Sequence, residues 1–402
     1  MLGTLLLLWV GAAPTANAID WPQFRGVTGQ GHAEGVGLPL TWSETENIVW
    51  KQPIDGLGWS SPVIVKGQLW LTTAAEEGKS LRVICLDPTT GKLIHNVEVF
   101  HLDNPGSIHK KNSHASPTPL VEDDRVYVHF GAHGTACVST DGKVSWKTQE
   151  LKYEHRHGPG GSPVLYDDLL ILSCDGTDVA FVVALDKQTG EIRWKTPRDG
   201  PMAYSTPLVI HAGGRDQVVS TGGDQVVAYE PRTGKEIWKC RYDGYSGVPR
   251  PVFGLGLVFI CSGYNTPHLF AIRPDGTGDV TDTHVAWSIK AEGAPLNPSP
   301  LLIGEDLYLV SDRGIATCLD ARTGKRHWQN RLGGDFSASP LFADGRIYFL
   351  DENGKTTVIA PGHEFNVLAT NTLDGRSLAS LSVWGKSFFL RTDTHLYRIE
   401  KK

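Results

Sequence analysis

The sequence predicts an all-β fold: an eight-bladed β-propeller of four-stranded antiparallel blades, closed by its N-terminal strand. Three observations lead there. A short opening, usually Ser or Thr followed by Pro ahead of an apolar strand, recurs eight times at intervals of roughly 40 to 55 residues, the period of a four-strand repeat. Most units end in an acidic residue, a Thr-Gly turn and a Trp. The 45 glycines and 24 prolines among 402 residues suit many tight turns, and no stretch shows the periodicity of a long amphipathic helix.

The openings are Ser61-Pro62, Ser116-Pro117, Ser162-Pro163, Thr206-Pro207, Arg250-Pro251, Ser299-Pro300, Ser339-Pro340 and the degenerate Ser380-Leu381. The endings run Asp186 to Gly190 with Trp194, Glu230 to Gly234 with Trp238, and Asp320 to Gly324 with Trp328. Asp141-Gly142 with Trp146 is a shortened copy, and Asp87 to Gly91 has lost its Trp. The seventh unit shows the logic of one blade. Leu341 and Phe342 start an inner strand, Asp344-Gly345 turns it, Arg346 to Leu350 alternates back, and Asn353-Gly354 turns again before Thr356 to Ile359. Four strands this short cannot bury both faces alone, so each sheet must stack on its neighbours, and the Trp and Thr-Gly pair is expected to dock one blade on the next. The C-terminal unit stops after a third strand at Arg398-Ile399, whereas Asn47 to Lys51, with Trp50, carries a fourth-strand signature ahead of the first opening. Ring closure by the N-terminal strand follows, and it removes exposed sheet edges.

Residues 1–18 read as a secretory leader, 19–46 as an N-terminal extension and 47–402 as the propeller. Leu5 to Ala13 is too short an apolar run to span a bilayer, and Ala16-Asn17-Ala18 suits cleavage after Ala18. No Cys follows the run to accept a lipid, so the expectation is a periplasmic or secreted protein that does not span the membrane. Six cysteines raise the question of disulfides. Cys85, Cys137 and Cys318 fall at equivalent third-strand positions of different blades and Cys174 and Cys261 at second-strand positions, too far apart to bridge, so buried free thiols are expected. A net charge of −6 with interspersed signs carries no basic stripe for nucleic acid.

The Asp-x-x-Thr-Gly-x-x-x-Trp endings, the eight units and the Ser-Pro openings together resemble the pyrroloquinoline-quinone (PQQ) repeat family, which includes the quinoprotein alcohol dehydrogenases and the assembly factor BamB. The resemblance runs from Trp21 to Ile399. Trp21-Pro22-Gln23-Phe24-Arg25-Gly26 and Gly58-Trp59-Ser60-Ser61-Pro62 look like a secreted bacterial subgroup abundant in planctomycetes. In the dehydrogenases, the resemblance implies a quinone held between a Trp and a disulfide of two adjacent cysteines, beside calcium bound by Glu, Asn and Asp. This chain has no adjacent Cys pair, so no cofactor is expected, with PQQ and Ca²⁺ as the cofactor reading of the alternative.

In a propeller, the loops that join one blade to the next gather around a central funnel with those between second and third strands. Two joining loops are rich in His and Lys: His101 to Ser116, with His109, Lys110, Lys111, Asn112 and His114, and Lys152 to Ser162, with His155, Arg156 and His157. They should abut at the mouth between the first three blades. As an anion pocket the cations and imidazoles offer donors to a carboxylate, sulfate or phosphate; as a metal site the four histidines would have to converge; as a solvated loop they only cap strand ends. Tyr204, Arg250, Asn297 and Asp335 should face the same funnel, with Trp59 as an aromatic wall. Asp275, Asp279 and Asp282 form a second, calcium-type candidate in the fifth blade's outer turn, where an exposed polar turn is the competing reading. Asp175, Asp224, Asp312 and Asp351 recur in the second-to-third-strand loops and read as turn caps.

No nucleophile-elbow, zincin, dinucleotide or Walker sequence stands in a supporting context. The expected function is therefore an exported, non-catalytic scaffold whose funnel face binds a protein partner or an anionic or saccharide ligand. The alternative is a quinoprotein-type dehydrogenase or a polysaccharide-active enzyme using the His/Lys-rich mouth.

Overall fold

Eight four-stranded antiparallel sheets form the ring, each running from an inner strand to an outer one. The computed structural model describes residues 18–402 except 36, 266, 291 and 292, so the expected leader, but for its last residue, lies outside the described residues. Blade 1 comprises Val63–Val65, Gln68–Ala75, Ser80–Leu86 and Leu93–His101. Blade 8 comprises Ser382–Trp384, Ser387–Arg391 and His395–Glu400, and its outer strand is Ile48–Pro53 from the other end of the chain, with Lys51 opposite Tyr397. The ring closes as the missing fourth strand required. Among the described residues no helix is long and apolar enough to cross a membrane.

Turn chemistry explains the tight hairpins. In blade 7, Asp344 and Gly345 both take positive φ, 49° and 72°, the geometry whose twist matches the flanking strands Leu341–Ala343 and Arg346–Leu350.

The repeated Trp docks blade to blade. Trp146 of blade 2 donates from Nε1 to the Lys187 carbonyl in the turn of blade 3 (3.1 Å), Trp194 to Pro231 of blade 4 (2.9 Å), Trp287 to Ala321 of blade 6 (3.0 Å), Trp328 to Gly362 of blade 7 (2.9 Å) and Trp50 to Pro88 of blade 1 (3.1 Å). The indole lies flat on the next blade's glycine: a Cβ at Gly190 would stand 2.5 Å from the Trp146 ring. Blade 1, which lacks the Trp, sets His95 against Gly142 in the same way. Trp238 departs from the pattern and donates to Gln217 in its own blade (2.7 Å), because Gly278–Asp279 of the blade 5 turn pairs in parallel with its strand and covers that edge. Gly190→Ala is expected to destabilise by about 2 kcal/mol, since the new methyl meets the indole and φ is +78°. An unchanged urea midpoint would exclude this docking.

The Ser/Thr openings have a structural reason. Each hydroxyl accepts the backbone N–H of the equivalent residue in the preceding blade: Ser61 to Thr118, Thr118 to Ser162, Ser162 to Thr206, Arg250 to Ser299, Ser299 to Ser339, Ser339 to Ser380 and Ser380 to Ser61, all at 2.9 to 3.1 Å. The second opening is thus Thr118-Pro119, two residues beyond the expected Ser116-Pro117; Ser116 instead bonds Asn112 and Ser113 within its loop. The chain of hydroxyls breaks only where Arg250 replaces the hydroxyl residue.

The N-terminal extension is part of the ring. Trp21 exchanges backbone bonds with Ile64 of blade 1 (2.7 and 2.9 Å), Pro22 accepts from Val121 of blade 2, Gln30 accepts from Phe253 of blade 5, and Gly31 accepts from Phe342 of blade 7. His32–Ala33 then adds a parallel strand to blade 7. The segment crosses the inner strands from one side of the ring to the other and stoppers the central channel.

The six cysteines are free and buried, in the second, third and fourth strands of different blades.

Candidate functional site

Above the stopper, the channel widens into a cavity of about 710 Å³ with Phe24 at its floor. Its wall carries the hydroxyl residues Ser61, Thr118, Ser162, Thr206, Ser299, Ser339 and Ser380, each already accepting or placed to accept one N–H and keeping its own O–H. Higher up stand Trp59, Tyr204, Tyr245 and Tyr264; the last two meet edge to face at 5.5 Å, and Tyr264 is half exposed at the rim.

Of the expected site residues, Trp59, His109, Lys111, Asn112, His157, Tyr204, Asn297 and Asp335 line this cavity. The two His/Lys loops do abut. His109 N–H donates to the His157 carbonyl (3.2 Å), the Asn112 amide donates to the His157 and Pro159 carbonyls (2.7 and 3.1 Å), and the two imidazoles meet edge to face at 5.4 Å. Burial, with His109 and Arg156 nearby, lowers the His157 pKa and so favours the neutral ring. Tyr204 packs against it (5.9 Å), and burial pushes the Tyr204 phenol up to about 12.

Five expected residues lie elsewhere. Lys110 and Arg156 are exposed and off the cavity. Arg250 is buried below the floor, where its guanidinium donates to the carbonyls of Pro207 (3.0 Å) and Phe24 (2.9 Å) and so fastens the stopper. His114 and His155 turn inwards and join His133 and His129 in a buried cluster, with ring centroids 5.5 Å apart for His114–His133 and 5.1 Å for His133–His155. The four loop histidines therefore do not converge on one metal. Nor do Asp275, Asp279 and Asp282: Asp279 caps Thr281 (3.1 Å) and faces Arg241 (3.5 Å), Asp275 faces His284 (3.8 Å), and the three form no common ligand group. The exposed polar turn is what the fold builds there.

Part of the charge at the mouth is internally paired, while Arg313 and Asp335 line the cavity with no ion pair among the described residues. Glu352 receives Lys111 Nζ at 2.8 Å, Arg376 at 3.4 Å and the Ser337 hydroxyl at 2.7 Å. Burial would raise the Glu352 carboxyl, and these bonds outweigh it and hold it below the usual range. Arg376 also donates to the Lys110 carbonyl (2.9 Å) and lies over the Trp59 ring (5.8 Å), so the first joining loop is tied across the mouth to blade 7. Asp312 accepts the N–H groups of Leu296 (2.7 Å) and Asn297 (3.3 Å) and the Asn297 amide, although burial raises its pKa. Asp351 caps Asn353 and Lys355 (2.9 Å each), as a turn residue should. Asp175 instead makes a buried ion pair with Arg198 (Nε at 2.7 Å).

Sequence reasoning missed Phe24, Tyr245, Tyr264, Glu352 and Arg376. Tyr245 and Arg376 sit in joining loops of the class searched, so an aromatic or charged residue in any such loop is the signal that finds them.

The residues lining the cavity do not match the quinone and calcium set. Trp59 and Asn297 are of the right types, but there is no Cys pair, and of the lining carboxylates, Asp312 and Asp335, the first already accepts three donors. The family model described as "Outer membrane protein assembly factor BamB" matches residues 42–202, 179–303 and 279–378. The chain belongs to this PQQ-repeat propeller family. Relatives of two kinds match it. A quinone alcohol dehydrogenase, dehydrogenase subunit, of Gluconobacter oxydans is 23% identical over 65% of this chain and 34% of that protein. The BamB of Burkholderia pseudomallei is 26% identical over 27% of this chain and 26% of that one. The matches thus span about a third and a quarter of those curated relatives. Among solved structures, BamB from Moraxella catarrhalis superposes with a TM-score of 0.60 at 13% identity, covering 88% of this chain and 97% of that one. The quinohemoprotein alcohol dehydrogenase of Comamonas testosteroni gives 0.69 at 11%, covering 96% and 81%. At these identities the superpositions establish the fold.

Proposed function

We propose that this PQQ-repeat propeller is an exported, non-catalytic binding scaffold that receives an extended polar segment of a protein partner in its funnel. The carrying observation is the funnel's lining: a blind cavity with a wall of hydroxyl donors below an aromatic rim, with Lys111 and Arg376 at its mouth paired to Glu352. Hydroxyl O–H groups suit the carbonyls of an extended chain, and the rings of Trp59, Tyr245 and Tyr264 suit its side chains. Lys111 is engaged by Glu352 and so is not free to hold an anion. The partial match to BamB, an outer membrane protein assembly factor, agrees with a protein ligand.

A photo-crosslinking residue placed at Tyr245 is expected to capture envelope protein, one placed at Ile192 on an outer strand is expected not to, and Trp59→Ala is expected to weaken the capture at Tyr245 at least tenfold. Equal capture at both positions, insensitive to Trp59, would sink the proposal. Titration with pyrroloquinoline quinone and Ca²⁺ is expected to give neither heat nor a spectral change; saturable binding would reinstate the dehydrogenase reading.

A further inference from the structure

On the face opposite the funnel, two imidazoles and a carboxylate converge at the seam between blades 6 and 7. Asp306 opens the second strand of blade 6 (Asp306–Val310), His327 lies on its outer strand (Arg326–Arg331), and His363 lies in the turn between Lys355–Ala360 and Asn366–Thr372 of blade 7. The Asp306 Oδ1 atom is 3.3 Å from His327 Nε2 and 3.2 Å from His363 Nε2, and the two rings stack at 3.8 Å with 9° between their planes. This is the one group of three such side chains among the described residues whose ligand atoms converge.

We propose that Asp306, His327 and His363 bind a zinc-class divalent cation that staples blade 6 to blade 7. The spacing carries the argument. A tetrahedral ion with bonds of about 2.0 to 2.2 Å to nitrogen and carboxylate oxygen holds its ligand atoms about 3.3 Å apart, and Asp306 Oδ1 stands at that separation from each imidazole nitrogen. Hydrogen bonding accounts for only half of the arrangement: His363 Nε2 bonds Asp306 Oδ1, whereas His327 Nε2 is buried without a hydrogen-bond partner. An ion meets both nitrogens once the exposed His363 ring turns out of this parallel stack, since each lone pair lies in its ring plane, and two imidazoles with one carboxylate are the donors this class of cation takes.

The surrounding residues fix the ligands. The turn carrying His363 is clamped from blade 6 on both sides of one peptide: Gly362 N–H donates to the Tyr308 hydroxyl (2.7 Å), and Trp328 Nε1 donates to the Gly362 carbonyl (2.9 Å). The Tyr308 hydroxyl also reaches Asp306 Oδ2 (3.4 Å), orienting the carboxylate with Oδ1 towards the histidines. Such second contacts hold ligands in place ahead of the metal. His363 is mostly exposed, so the fourth position of the tetrahedron opens to solvent and takes water or a partner's side chain.

The test is titration of the purified, chelator-stripped full chain with zinc chloride in competition with a chromophoric chelator, repeated with cobalt(II) to read tetrahedral coordination in its visible spectrum. One zinc per chain is expected, with a rise in thermal midpoint. His363→Ala, whose exposed side chain leaves the fold intact, should weaken binding by at least roughly 10- to 100-fold and abolish the rise, and His327→Gln should do the same. No zinc uptake by the wild type, or uptake that the His363→Ala and His327→Gln chains retain undiminished, would overturn the site.

Discussion

Acidification from pH 6.5 to 4 is expected to destabilise the propeller steeply, through histidines rather than carboxylates. His129 sits inside blade 2, with Nδ1 2.8 Å from the Thr135 hydroxyl and Nε2 3.4 Å from the Tyr153 hydroxyl, and burial followed by the charges of His155 and His133 lowers its pKa from 6.5 to about 3. Burial, with His155, His114 and Lys152, lowers His133 to about 4, and burial lowers His114 and His155 too. Ring nitrogens of His114, His133 and His155 are buried without partners, so a proton there gains no acceptor. The folded-state pKa values lie below the unfolded ones. The stability from keeping these rings neutral is therefore complete above pH 6.5, and it is lost as pH falls towards the folded values, because the unfolded chain takes up protons that the folded chain refuses. At about 1.4 kcal/mol per pH unit for each ring, His129 alone contributes a loss of about 3 kcal/mol by pH 4. His133, partly exposed, contributes less. Thermal midpoints measured across this range for the wild type and for His129→Gln and His133→Asn check it: the variants should lose stability less steeply, and parallel curves would remove the cluster as the cause.

The same histidines show what a sequence carries and what it hides. The repeat, the ring closure, the Trp docking and the unbridged cysteines were legible because each is set by residues at fixed phase within one unit. The abutting of the two His/Lys loops was legible too, since consecutive joining loops must be neighbours. Which way a side chain turns was not. His157 and His114 belong to the same kind of loop, yet one lines the funnel and the other is buried against His133, and only the packing of the loops on Gly78 and Gly131 decides that: both glycines have positive φ, and a Cβ there would strike His114 or His155. Arg250 was equally opaque. It holds a Ser/Thr position in the repeat, so phase placed it at the funnel, but its partner Phe24 is 226 residues away in a segment outside the repeat.

Removing the anchor of that segment is expected to have the largest effect of any single substitution outside the blades. Trp21→Ala should cost about 3 to 5 kcal/mol, as for other fully buried indoles. Trp21 is 3% exposed, its ring lies on Gly26, and its backbone pairs with Ile64. Below it, Arg25 donates to the Pro300 carbonyl (2.7 Å) and Arg250 to Phe24 and Pro207, two buried guanidinium groups that face carbonyls instead of carboxylates. Burial, joined by the charge of Arg250, brings the Arg25 pKa down to about 9, and burial brings Arg250 to about 9. Holding two such cations near one another is tolerable only while the stopper segment supplies the carbonyls, so loosening it exposes a positive, water-filled channel where Phe24 had closed the floor. Two readouts separate this from a general loss of packing. Proteases should cut the Trp21→Ala chain first within 18–31 while the blades stay intact, and Arg250→Ala, which keeps the indole anchor, should show the same early cut with a smaller fall in the urea midpoint. Uniform digestion of the blades in both variants would mean that the segment merely lines the ring and does not stopper it.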